Sequence, residues 1–303
     1  MDDSGRRIRV LWNPHSGSKG GIPITQTSRD ELLALLERHG LDAELHETQS
    51  EEEAIEATRD AVRDGYDVVA AAGGDGTVRC VAGELLGAGC ALGILPLGSI
   101  MNVARMIGLP RDLEQAARIL RTGTVRPMDV GFVGDRLFLE SASIGLHAAI
   151  SRDLSGLEQG DHGAILRSIV AAFRYRPSRM RIELDEGRII ERRALLVAVA
   201  NGPFLGAGFT VAPDASIDDG ELDVRAFLHY SKRELILNFA SIAFGRRAFV
   251  PHSITERATR VTVTSHRPLP GRADGEDLGT TPLTFEVRPG ALRVVMPEPS
   301  QEG

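Results

Sequence analysis

The chain predicts an α/β fold followed by a second, β-rich domain, and three observations carry that expectation. Strand-like apolar runs alternate with amphipathic helices up to about residue 125. From about Met128 the pattern changes to short strands separated by turn residues. The early strands also end in glycine, hydroxyl or amide groups, the usual finish of a strand at the ligand-binding edge of an open parallel sheet.

The elements follow in order. Residues 8–14 (IRVLWNP) form a buried strand. Residues 28–40 form a helix: Leu32, Leu35 and Leu36 share a face, Ser28 and Glu31 stand at capping-box spacing, and Gly40 supplies the stop. Residues 41–48 alternate as a strand. Residues 50–65 make a second helix, with Ser50 and Glu53 at its start and Gly65 at its end. A strand (66–72), a helix (77–88), a strand (90–98) and a helix (111–123) complete the first half. Strands alternating with helices imply right-handed crossovers and a largely parallel sheet. Beyond it, residues 128–145 and 179–200 pattern as hairpins, and 221–228, 259–265 and 282–297 add strands. Apolar-periodic pieces at 163–176 and 231–245 interrupt them. The expected division is residues 1–125, a three-layer α/β domain, and 126–303, a β-sandwich-like domain, with the extreme C-terminus free to pack back on the first.

Composition narrows the function classes. A chain of 303 residues with 42% apolar and 25% charged residues is ordinary globular protein. Its net charge of −7 gives no general attraction to nucleic acid, so an anionic ligand must be held by a local arrangement. Two cysteines, Cys80 and Cys90, do not make a disulfide framework, and the N-terminus carries no apolar stretch of signal length. No run approaches the ~20 apolar residues of a spanning helix. A soluble cytoplasmic protein is the expectation.

Four strand ends define a candidate cleft. Residues 73–77, Gly73, Gly74, Asp75, Gly76 and Thr77, leave one strand and open the next helix. Glycines allow close approach of a phosphate, and free N–H groups at a helix start favour an anion. A carboxylate there does not attract phosphate; Asp75 is expected to reach a Mg²⁺ ion bridging the phosphates or to bond a substrate hydroxyl. Asn13, Pro14, Ser16 and Gly17 follow the first strand, Thr48 ends the second, and Gly98 and Ser99 follow a fourth. Neither a Walker loop nor a G-x-G-x-x-G fingerprint is present. In the second half, residues 214–223 gather Asp214, Asp218, Asp219, Glu221 and Asp223, either a hard-cation site or a solvated acidic turn. Asp274 and Glu276 flank Gly275, and a carboxylate there is suited to take a proton from a hydroxyl nucleophile.

The ordered series NPHSG, Thr48, GGDGTV, LPLGS…NVAR, NGPFLGAGF with APDASIDDGELDV, and the late DGE resembles the lipid kinase family defined by the diacylglycerol kinase catalytic domain, which includes sphingosine kinases. The resemblance spans Arg7 to about Pro297. It implies an ATP- and Mg²⁺-dependent phosphotransferase with nucleotide between two domains and a lipid hydroxyl, most often that of diacylglycerol, as acceptor. It places Asn13, Pro14, Ser16, Gly17, Thr48, residues 73–77 and Ser99 at the nucleotide. Ser216, Asp219 and Glu221 match the metal loop, and Glu276 the general base, with Asp274 beside it. One departure concerns the third glycine loop: the family commonly has Gly-Thr-x-Asn, whereas here Asn102 comes one residue later, after Ser99, Ile100 and Met101. Apolar stretches in the second domain and basic residues such as Arg167, Arg174, Arg176, Lys232, Arg233, Arg246 and Arg247 suit peripheral contact with anionic membranes. Kinases of other lipids, a NAD kinase sharing the glycine–aspartate loop, and an inactive lipid-binding homologue are the alternatives; a homodimer is left open.

Overall fold

The computed structural model describes residues 6–14, 27–150, 174–206, 208–228 and 253–298, with Ser18–Lys19, Ile22–Pro23 and a few positions between 167 and 171. Ser16, Gly17, Lys232, Arg233, Arg246 and Arg247 lie outside the described residues, as do all of residues 231–245 and most of 163–173. The chain divides into two units, one from the N-terminus to Val130 that also takes Pro289 onward, the other Gly131–Arg288.

The first unit contains β1 (Ile8–Trp12), the short β2 (Ser18–Lys19) and β3 (Ile22–Pro23), α1 (Arg29–Arg38), β4 (Ala43–Glu47), α2 (Glu51–Arg63) and β5 (Val68–Gly73). Then come α3 (Asp75–Leu85), β6 (Ala91–Pro96), α4 (Asn102–Met106), α5 (Leu113–Thr122) and β7 (Thr124–Val133), which runs into the second unit. Strands β4, β1, β5 and β6 lie side by side and all parallel. Central strands β5 and β6 are buried along their whole length, which is why VVAAAG and ALGILP are continuous apolar runs with no alternation. Ser28 and Glu31 form the expected capping box, and Leu32, Leu35 and Leu36 are the buried face of α1. Ser50 accepts from the Glu53 N–H to start α2.

Two helices depart from the sequence pattern. Helix α3 starts at Asp75, two residues before the expected 77, so Gly76 lies within its first turn. Helix α4 was not expected; five residues are too few to show a period, and its start depends on a side chain far away in sequence.

The second unit comprises β8 (Arg136–Phe138), β9 (Ser141–Gly145), β10 (Ser178–Leu184), β11 (Ile189–Ala194), β12 (Leu196–Ala200), the short β13 (Phe204–Leu205) and β14 (Phe209–Thr210), β15 (Leu222–Phe227), β16 (Ser253–Ala258), β17 (Arg260–Ser265), β18 (Pro270–Ala273), β19 (Glu276–Thr280) and β20 (Leu283–Met296). One antiparallel set runs β11-β10-β17 and the first part of β20; the other is the six-stranded sheet β16-β15-β12-β9-β18-β19. Their inward residues make a single core, with Ile182 and Val263 from the first set against Ile144, Val199 and Val224 from the second. Phe138 and Phe285 meet edge to face in it, 6.3 Å apart. This is the expected sandwich. The Arg-Pro-Gly signal at 288–290 does not turn the chain. Strand β20 passes through it and ends in the first unit, where Val294 pairs in parallel with Leu92 of β6.

Candidate active site

Because β1, β4, β5 and β6 are parallel and in register, their C-terminal ends share one edge of the first unit. Asn13 leaves β1 and bonds its N–H to the Ala72 carbonyl at 3.1 Å. Thr48 leaves β4, buried, with its N–H on the Trp12 carbonyl at 2.9 Å. Between these ends lies a cavity of about 200 Å³, lined by Asn13, Thr48, Ser50, Gly74, Gly76 and Thr77 together with Glu51 and Cys80. The structure thus brings three of the predicted strand ends to one cavity.

Two of the glycines, Gly73 and Gly98, are required by close packing. A Cβ on Gly73 would lie 2.5 Å from the Thr77 hydroxyl oxygen, and one on Gly98 would lie 2.6 Å from the Gly74 Cα. The two glycine loops therefore touch backbone to backbone. Gly74, the N-cap of α3, has no side chain to bond the first-turn N–H groups, which leaves that helix start suited to an anion. Helix α2, in contrast, is capped by Ser50 and starts with three glutamates. Phosphate is favoured at the α3 end of the cavity and disfavoured at the α2 end. Burial and the nearby Glu51 push the Cys80 thiol up to about 11, so it lines the cavity as a neutral group.

The Asp75 carboxylate bonds the neighbouring glycine loop. One carboxylate oxygen accepts from the Val103 N–H at 3.1 Å, and the Asn102 and Met101 amides also bond the group. Asp75 thus caps α4, whose own N-cap, Met101, is left-handed (φ 57°) and offers no side-chain bond. Burial raises the Asp75 pKa, against the lowering effect of these amides and of Arg105. The one-residue offset before Asn102 falls at this left-handed Met101, and Asp75 bonds the backbone just beyond it. Ser99 sits on the same loop, whose carbonyls at Gly98 and Ser99 accept from Arg111 at 3.1 and 2.7 Å. Neither the long-range cap nor Arg111 carries a sequence signal, since both depend on partners distant along the chain.

In the second unit the acidic loop is partly neutralised from within. Arg257 of β16 approaches Asp219 (3.5 Å), Glu221 (3.9 Å) and Asp223 (3.7 Å), and Arg225 approaches Asp214 (3.8 Å). The Ser216 hydroxyl donates to Asp218 at 2.6 Å, and the Glu221 N–H to Asp219 at 3.1 Å. Burial raises the Asp223 pKa, with Arg257 opposing. Among the described residues no three His, Cys, Asp or Glu side chains gather as a metal site. A site built from the Asp219 carboxylate and main-chain carbonyls needs no such gathering, and an oxygen-only donor set fits a hard cation.

Asp274 and Glu276 sit on the tight turn joining β18 to β19, with Ala273 opposite Glu276. Asp274 (φ 43°) and Gly275 (φ 86°) both take left-handed conformations, as a two-residue hairpin demands. The Asp274 carboxylate takes the N–H groups of Leu139 (2.5 Å), Glu140 (3.1 Å) and Ser141 (3.1 Å). Glu276 is half-buried at the start of edge strand β19.

An α/β unit with phosphate-suited glycine loops, joined to a β-sandwich carrying acidic turns, defines a phosphotransferase class. Comparison with known proteins specifies it. Residues 7–133 match the diacylglycerol kinase catalytic domain, and residues 143–296 match the YegS C-terminal NAD kinase beta sandwich-like domain. The chain is 29% identical to a diacylglycerol kinase of Bacillus subtilis over 98% of both chains. It is 30% identical to a probable lipid kinase YegS-like protein of Pseudomonas aeruginosa, covering 85% of this chain and 86% of the relative. The fold also matches a crystal structure of a diacylglycerol kinase from Bacillus anthracis with a TM-score of 0.74 over 98% of this chain and 99% of the other, at 21% identity. The chain belongs to the diacylglycerol kinase and YegS-like lipid kinase family, and it is a lipid kinase, for which ATP is the implied phosphoryl donor. Among the described residues no helix is long and apolar enough to cross a membrane.

Proposed function

We propose that the enzyme transfers the γ-phosphoryl group of ATP to the hydroxyl of diacylglycerol, giving phosphatidic acid and ADP. The observation that carries the nucleotide half is the cavity at the uncapped start of α3, where glycine backbones leave room for phosphate and Asn13 and Thr48 flank it. Gly73, Gly74, Gly76 and Thr77 hold the phosphates, and Ser99 adds a hydroxyl. Base and ribose lie toward Thr48, Ser50 and Cys80, since the acidic α2 start disfavours phosphate there. Asp75 acts by holding the loop from Gly98 to Asn102.

Glu276 is the general base. As the acceptor oxygen bonds to the γ-phosphorus, the bond from that phosphorus to the β–γ bridging oxygen breaks, and ADP departs with the bond's electron pair. The hydroxyl proton passes to the Glu276 carboxylate and then to solvent. Ser216, Asp219 and Glu221, the last through its carbonyl, are the residues suited to Mg²⁺, which when bound neutralises negative charge. Peripheral membrane contact is supported by a second cavity, about 380 Å³, lined by Arg174, Tyr175, Arg176 and Arg267. The free cysteines Cys80 and Cys90 suit a reducing cytoplasm.

The experiment offers the purified chain ATP and Mg²⁺ with diacylglycerol, monoacylglycerol and sphingosine in separate mixed micelles, and identifies products by mass spectrometry. Phosphatidic acid formed much faster than the other phospholipids supports the assignment. Preferential phosphorylation of another lipid replaces diacylglycerol as the acceptor.

A further inference from the structure

The NGPF stretch after β12 has no task in the phosphotransfer scheme, yet its first residue, Asn201, is a fully buried amide. Three neighbouring strands converge where it sits. In the order β12-β9-β18, Ala200 of β12 pairs with Ser141 of β9, and Ala273 of β18 pairs with Ala142 of β9. Asn201 therefore follows β12, Asp274 follows β18, and Leu139 and Glu140 lead into β9, all at one end of the sheet.

The backbone from Leu139 to Ser141 is gripped on both sides there. Its donors go to Asp274: the N–H groups of Leu139, Glu140 and Ser141 all reach that carboxylate, and the Asp274 N–H returns a bond to the Ser141 carbonyl at 3.3 Å. Its acceptors go to the NGPF loop: the Asn201 side-chain amide donates to the Leu139 carbonyl at 2.9 Å, and the Asn201 and Gly202 N–H groups donate to the Glu140 carbonyl at 3.0 and 2.9 Å. The Ser141 hydroxyl adds a bond to the Phe204 carbonyl at 2.7 Å. Carboxylate and amide are matched to the task, because the one only accepts and the other presents an N–H donor. The hairpin so fixed bears Glu276 two residues beyond Asp274. As an edge strand, β19 has β18 as its one strand neighbour, and the turn that Asp274 anchors joins the two.

We propose that Asp274 and Asn201 are positioning residues for Glu276, acting as the two jaws of a clamp on residues 139–141, and that Asp274 is not itself a proton acceptor in the reaction. The assignment rests on Glu276 being the base, and the test separates the two. Full-length Asn201→Ala, Asp274→Asn and Glu276→Gln variants, and each clamp variant combined with Glu276→Gln, are compared by kcat, KM for ATP and the pH profile of kcat. A small misplacement of a reacting group typically costs up to ~10²-fold, so each clamp variant is expected to lower kcat by roughly 10- to 100-fold with KM for ATP within about twofold. The acidic limb of the profile is retained in Asp274→Asn, since the proton acceptor is unchanged, and neither clamp change lowers the residual rate of Glu276→Gln further. Should Asn201→Ala not give folded protein, Asp274→Asn and its combination with Glu276→Gln carry the same test. Faster amide exchange at residues 139–141 in Asp274→Asn supports the clamp independently. Loss of the acidic limb in Asp274→Asn, additive losses with Glu276→Gln, or wild-type kcat in a folded clamp variant overturns it. Wild-type turnover by Glu276→Gln overturns the base assignment instead.

Discussion

Replacing Asp75 by alanine separates two jobs for a carboxylate on a glycine loop. If it served only a bound ion or a substrate hydroxyl, its loss would leave the free protein as stable as before. In the structure it caps α4, whose Asn102, Val103 and Ala104 are buried and whose N-cap offers no side-chain bond. Losing a helix cap costs roughly 0.5–2 kcal/mol. The alanine also relieves the carboxylate of burial, which already raises its pKa, so the net loss falls near the lower half of that range, about 1 kcal/mol. For a domain of this size, 1 kcal/mol lowers Tm by roughly 2–4 °C. Asp75→Asn keeps an acceptor for the Val103 N–H without the buried charge; it is expected to regain most of that Tm and to keep kcat/KM for ATP within about tenfold, one hydrogen bond's worth. The pH dependence has a definite sign. A raised folded pKa means the folded protein binds more protons just above the ordinary value of 3.8, so this group's contribution to stability falls as pH rises through that window. Wild type should therefore lose ground to Asp75→Asn in melts taken at successively higher pH across the window. Scanning calorimetry and steady-state ATP kinetics are the assays. Unchanged Tm in Asp75→Ala, together with inactivity of Asp75→Asn as complete as that of the alanine variant, would refute the capping role and return the carboxylate to the ligand.

The remaining predictions concern the second unit. Glu276→Gln should lower kcat by ~10²–10⁴-fold with nucleotide affinity nearly intact, as checked by steady-state rates and calorimetric ATP binding. Mg²⁺ without nucleotide should raise the Tm of wild type, and Asp219→Ala should remove that rise; a wild-type melt insensitive to Mg²⁺ would leave the loop to Arg257 alone. Burial, with Arg272 as a smaller cause, pushes His147 from 6.5 down to about 4, while its Nδ1 lies 2.8 Å from the Ser143 hydroxyl. The unfolded chain takes up that proton first as pH falls, so stability is lost between pH 6.5 and about 4, by up to about 3 kcal/mol. His147→Gln should flatten that part of the stability–pH curve, measured by denaturant unfolding.

What the sequence disclosed and what it hid divide along the range of the interactions. Helix α1 was legible because Ser28, Glu31 and Gly40 lie within a few residues of the turns they start and stop. Strands β5 and β6 were legible because burial on both faces leaves an unbroken apolar run. Helix α4 was not, since its cap comes from Asp75, 28 residues earlier. In the same way the sequence sets Asp274 beside Glu276 but not its partners, whose bonds reach back 135 residues to Leu139. Arg257 fell among ordinary strand residues, and only the fold brings it to the acidic loop. The glycine loops could be located from composition alone; that Gly74 and Gly98 touch each other is visible only when parallel strands bring their ends together.

The central claim, that this chain moves phosphate from ATP to diacylglycerol using Glu276, is tested most directly by following label from γ-phosphate-labelled ATP. Wild type and Glu276→Gln are each incubated with Mg²⁺ and diacylglycerol in mixed micelles. The expected result is labelled phosphatidic acid accumulating in step with ADP for wild type, and at least ~10²-fold more slowly for the variant. Label remaining in ATP or inorganic phosphate with wild type, or equal transfer by both proteins, would contradict it.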